Sequence, residues 1–113
     1  MQIRIPRKRV REAFLLIYEL KGCQKAVGFL TEHYRVKRMK IIRDGKRVGT
    51  RKSNGWLACY SENEAFFSRQ SLNRKNVLHE FFHHLVDSNG LEMPIRKEEK
   101  EANGYSRKFL RCS

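Results

Sequence analysis

Apolar side chains at Val77, Leu78, Phe81, Phe82, Leu85 and Val86 recur at the period of a helix, about 3.6 residues, between Asn73 and the pair Asn89-Gly90. Asn73 is a good amino-terminal cap and Asn89-Gly90 a good stop, so the spacing predicts a helix over 74–88. Three of its polar positions form the pattern His79-Glu80-x-x-His83. Residues four apart lie one above the other on a helix, so the two imidazoles can offer nitrogens to one ion about 2.0–2.1 Å away. Glu80 points beside that axis, where it can take a proton from an attacking water without ligating the ion. The spacing therefore predicts a zinc site with His79 and His83 as ligands and Glu80 as general base.

A hydrolytic zinc site needs a third protein ligand and an open position. If a second helix begins near Pro94 and runs antiparallel to the first, Glu99 comes level with His83. Helical phase leaves Glu98 equally acceptable, because both flank the face that carries Ala102 and Phe109, whereas Glu101 points away. Asp87 stays near the same face as the histidines, and three ligands stacked on one straight helix cannot easily surround an ion. His84 is expected to pack or touch solvent, and His33 has no partner that sequence can show.

The rest of the chain reads as α+β in one domain over 1–113. Val10, Ala13, Phe14, Ile17 and Tyr18 repeat at helical spacing until Gly22, and Ala26, Val27, Phe29 and Leu30 suggest a second helical piece ending near His33. From Tyr34 the period shortens towards alternation through Val36, Met39, Ile41 and Ile42. Asp44-Gly45 is a hairpin signal, Val48 falls on the returning strand, and Asn54-Gly55 is another turn. Further strands are expected over 56–60 and 65–69, joined by a tight connection, giving a small antiparallel meander of three to four strands. The last helix buries Ala102, Tyr105, Phe109 and Leu110.

Lys and Arg number 25 against 12 acidic residues, a net charge of +13 spread through Arg7 to Arg9, Arg35 to Lys40, Lys46 to Lys52 and Arg107-Lys108 without marking one patch. Nucleic acid or an acidic protein is thus an expected partner. No apolar run reaches the roughly 20 residues a membrane span needs, and the expected location is the cytoplasm. Cys23, Cys59 and Cys112 are an odd number with no CxxC pair, so neither a disulfide framework nor a thiolate zinc knuckle is indicated.

The residues also resemble a family. His79-Glu80-Phe81-Phe82-His83-His84-Leu85 followed by Glu99-Lys100-Glu101-Ala102-Asn103 looks like the gluzincin pattern, and in size and order of elements the chain is similar to the archaeal minigluzincins. That resemblance implies a minimal zincin-like domain and a Zn²⁺ peptidase acting on peptides or unfolded protein. It selects Glu99 over Glu98 as third ligand and makes Asn103 the hydrogen-bonding partner of a ligand histidine. It further implies that the strand containing Ala65, Phe66, Phe67 and Ser68 is the edge that aligns an extended substrate. Latency through a terminal segment would allow the Cys112 thiolate to take the fourth zinc position. Tyr105 is a candidate donor to the tetrahedral oxyanion, with core packing as its other role. The charge leaves two other expectations: a basic nucleic-acid-associated protein with a structural zinc, or a regulatory peptidase acting on a DNA-bound protein.

Overall fold

A computed structural model describes residues 3–43 and 58–111. Helix α1 spans Lys8–Lys21 and α2 spans Cys23–Tyr34. Gly22, at φ 96°, separates them, a backbone region that residues with a Cβ rarely adopt. Arg35 closes α2 in the left-handed conformation, and the backbone N–H of Val36 returns to the Thr31 carbonyl at 3.0 Å.

Three short strands follow: β1 (Lys40–Arg43), β2 (Ala58–Ser61) and β3 (Glu64–Phe67). Their order is β1-β3-β2, with β1 parallel to β3 and β2 antiparallel to it. The expected antiparallel meander is thus corrected to a mixed sheet. The local half of the expectation survives for a clear reason: Glu62 and Asn63, both at positive φ, make the two-residue turn that joins β2 to β3. The error concerns the centre of the sheet. Ala65, Phe66 and Phe67 are all buried, the pattern of a strand covered on both faces and paired on both edges, so β1 adds to its free side. The turn signals at Asp44-Gly45 and Asn54-Gly55, with Val48 and Trp56, lie outside the described residues.

Helix α3 spans Arg74–Ser88, and the Asn73 side chain accepts the Asn76 N–H at 2.9 Å, as a capping asparagine should. Helix α4 spans Ile95–Arg111, its first turn closed by the Glu98 N–H on the Pro94 carbonyl at 3.0 Å. The described residues therefore form a small α+β structure of four helices and a three-stranded mixed sheet. No helix among them is long and apolar enough to cross a membrane.

The core lies between α3, the helical face of the sheet and the two amino-terminal helices. Phe14, Leu30, Met39, Phe67, Leu78, Phe81, Leu85 and Phe109 are fully buried there. Phe14 meets Phe109 edge-on with centroids 5.2 Å apart, which locks α1 against α4. Truncating one such phenylalanine to alanine costs about 3–5 kcal/mol. This packing holds α3 and α4 at fixed distance, and the candidate site lies between them.

Candidate metal centre

The inner side of α3 buries Leu78, Phe81 and Leu85, and helical phase then turns His79 and His83 to one flank, towards α4. Their Nε2 atoms stand 3.3 Å apart. Two nitrogens held at 2.0–2.1 Å by one tetrahedral ion would be separated by about 3.3–3.4 Å, so the pair is already at chelating distance. The Glu99 carboxylate faces both rings, with Oε2 2.9 Å from His79 Nε2 and Oε1 3.0 Å from His83 Nε2. Glu80 is buried beside them with Oε2 3.9 Å from His79 Nε2, beyond hydrogen-bond reach. Ligand atoms of His79, Glu80 and His83 lie within 4.8 Å of one another, a cluster that could hold a metal ion.

The outer atoms of the rings are also engaged. His83 Nδ1 hydrogen-bonds Glu98, and the Asn103 side chain hydrogen-bonds His79. A carboxylate only accepts, so Glu98 holds a proton on Nδ1, and the Nε2 side of the His83 ring is directed inward towards His79 and Glu99. Two imidazole nitrogens and a carboxylate then converge, a donor set suited to a divalent cation. Zinc and its neighbours in the transition series all accept such ligands, so the set does not fix which metal.

Electrostatics match this picture. Burial lowers the pKa of His79 below its ordinary 6.5; Glu99 opposes the shift, the neighbouring His83 adds to it, and the hydrogen bonds that Glu99 and Asn103 accept from the ring oppose it. Burial pushes Glu80 up to about 7, with His83 pulling it down and Glu99 adding to the rise. A carboxyl that titrates near neutrality can both take and return a proton there.

Several candidates lie elsewhere. Tyr105 is buried in the core against Phe82, with ring centroids 5.5 Å apart. Tyr34 donates to the Arg4 carbonyl at 2.7 Å, so its oxygen takes the Tyr105 proton at 2.9 Å. That hydroxyl is thereby engaged away from the histidine pair, and the ring fills the packing role also expected of it. The substrate-edge reading of Ala65, Phe66, Phe67 and Ser68 is corrected, because β3 is the middle strand and both its edges are taken. Ser68 instead closes a turn with Ser71, its N–H reaching Ser71 Oγ at 2.8 Å. Asp87 accepts from the Tyr60 hydroxyl at 2.8 Å, apart from the histidine pair. Cys112 lies outside the described residues.

Sequence reasoning missed the partners of His84. This ring is fully buried, with Nε2 donating to the Lys37 carbonyl at 2.5 Å and Nδ1 2.9 Å from the Tyr60 hydroxyl. It ties α3 to the segment before β1 and to β2. The only signal was its phase on α3, which points away from His83 and towards the sheet.

Comparison of the chain with protein-family models, with curated proteins and with solved structures finds no match.

Proposed function

We propose that this chain is a zinc-dependent peptidase of the gluzincin type on a minimal zincin-like scaffold, acting on extended peptides or unfolded protein segments. One observation carries the reading: the Nε2 atoms of His79 and His83 lie 3.3 Å apart with the Glu99 carboxylate across both. His79, His83 and Glu99 would hold the ion, and zinc there supplies a Lewis acid that polarises a peptide carbonyl and acidifies water. Glu80, with its carboxyl near pH 7, accepts the proton of the attacking water and returns it to the departing amine. Glu98 and Asn103 hold the two rings in register. The strand edge that remains for an extended substrate is the outer side of β2, which no other strand pairs among the described residues.

The test measures metal content and turnover together. Zinc should bind the parent stoichiometrically and be lost in His83→Ala and Glu99→Ala, while Glu80→Gln keeps zinc and loses peptide hydrolysis. Equal zinc in every variant would remove the site. The net charge of +13 favours a second reading, a nucleic-acid-associated domain whose zinc only ties α3 to α4. In that case no peptide is cleaved by the parent, and Glu80→Gln leaves zinc content and nucleic-acid affinity intact.

A further inference from the structure

The positive charge has a place in the fold that the sequence does not reveal. Among the described residues Lys8 pairs with Glu12 at 3.8 Å, and the carboxylates of Glu80, Glu98 and Glu99 face the two histidines of α3. Glu80, Glu98 and Glu99 are thereby withdrawn from neutralising the surface.

The cations left over are not evenly useful to a ligand. Lys21, Lys25 and Arg38 line one cleft of about 380 Å³ where the end of α1, the first turns of α2 and the approach to β1 meet. Glu32 is the single acid in its lining, and Ile17 and Phe29 form its apolar part. Tyr18 lies one helical turn from Lys21 on α1, and Arg43 and Arg74 act on its hydroxyl. Burial raises the Tyr18 hydroxyl above the ordinary phenol range and Cys23 adds to the rise, while Arg74 and Arg43 are near enough to oppose it. All five cations are exposed, and Phe29 and Tyr18 are partly exposed planar rings among them.

A row of unpaired cations beside accessible aromatic faces fits a strand of phosphodiesters whose bases can stack. The cleft on the far side of α4 is less suited. It holds Lys97, Lys100, Arg107 and Lys108, but its rings, Phe82 and Tyr105, are core residues. The outer edge of β1 is also closed to a peptide strand at this point. The Gln24 side chain accepts the Ile41 N–H at 2.8 Å and donates to the Met39 carbonyl at 3.0 Å, occupying the groups an added strand would use.

We infer that the strip Arg74–Arg43–Lys21–Lys25–Arg38 is a binding surface for single-stranded nucleic acid, contacting the phosphates through its five cations and the bases through Phe29 and Tyr18. The contact is independent of metal and requires nothing of the peptidase reading.

The test titrates the full chain into labelled oligo-dT and oligo-U of about 12 nucleotides, a length within the usual site range. Five phosphate contacts give a slope of log affinity against log salt of about −3.5, at about 0.7 per contact on a single strand. Lys21→Gln, Lys25→Gln and Arg38→Gln together should reduce that slope to about −1.4 and the affinity at 0.1 M salt about 100-fold. A control triple, Lys97→Gln, Lys100→Gln and Lys108→Gln, removes the same net charge and should leave affinity within about threefold, because at that salt charges beyond about 10 Å are screened. Circular dichroism checks that both triples keep the fold. Equal losses in the two triples would make net charge the whole effect and overturn the surface. Tighter binding of a duplex of the same length, or equal competition by polyglutamate, would overturn the assignment to a single strand. Preference between dT and U identifies DNA or RNA as the source.

Discussion

Glu98 meets His83 at Nδ1, the ring nitrogen opposite the one that faces His79. Glu99, the next residue, meets both rings on the inner side. Two adjacent glutamates therefore hold different atoms of the same imidazole, and their substitution should separate. On the proposed reading Glu99→Ala removes a metal ligand, whereas Glu98→Gln keeps the site but weakens the hold on His83, lowering zinc affinity about 10- to 100-fold. Competition with a chromophoric chelator measures both. Retention of full affinity in Glu99→Ala with loss in Glu98→Ala would exchange the two roles.

How far the sequence led can be judged from that same pair. Helix phase and the length of the connection brought Glu98 and Glu99 to the histidines, because one-dimensional periodicity and rise are enough to place residues on two packed helices. They could not divide the work between the two, since adjacent residues differ by about 100° of phase and side-chain length absorbs that difference. The sheet was legible only where pairing is local. Glu62-Asn63 fixes β2 against β3, but the parallel pairing of β1 with β3 depends on a contact distant in sequence, and short strands carry no signal for their partner. The partner of the Tyr105 hydroxyl was hidden for the same reason, because Tyr34 is 71 residues away.

Glu80→Gln tests catalysis and pH linkage at once. Loss of the base should reduce turnover by about 10²- to 10⁴-fold with zinc retained. In metal-free protein the folded carboxyl titrates near 7 and the unfolded one near 4.5, so the native state holds the proton more tightly. The contribution of this group to stability is therefore complete below about 4.5 and is lost as pH rises through 7. Metal-free Glu80→Gln should be more stable than the parent at pH 8, by about 1–3 kcal/mol, and the gap should close by pH 4.5. Urea melts at the two pH values give the difference. A gap that widens in acid would show that the carboxyl is ionised in the folded chain at both.

His84 has the opposite linkage. Burial lowers its pKa below 6.5, with the Lys37 carbonyl and Asp87 opposing. A depressed histidine contributes stability above the unfolded value that is lost as pH falls through 6.5 towards the folded one. His84→Leu takes the imidazole donor from the Lys37 carbonyl, while Tyr60 keeps Asp87 and Asn63, and should cost about 2 kcal/mol at pH 8. Because the variant lacks the titration, its deficit relative to the parent should shrink by pH 5.5. A constant deficit across that range would mean that His84 binds protons equally in folded and unfolded chains.

Tyr105→Phe distinguishes a core tyrosine from a catalytic one. The hydroxyl donates to Tyr34, which also anchors the amino-terminal segment by donating to the Arg4 carbonyl. Removing it deletes one buried hydrogen bond while the ring stays packed against Phe82 and Phe109, so stability should fall by about 1 kcal/mol. Zinc affinity and kcat should be unchanged, because the phenol reaches neither histidine nor Glu80. A loss of 100-fold or more in kcat, at about the magnitude expected for removal of an oxyanion donor, would place Tyr105 at the reacting carbonyl and require the Tyr34 contact to break in the bound state.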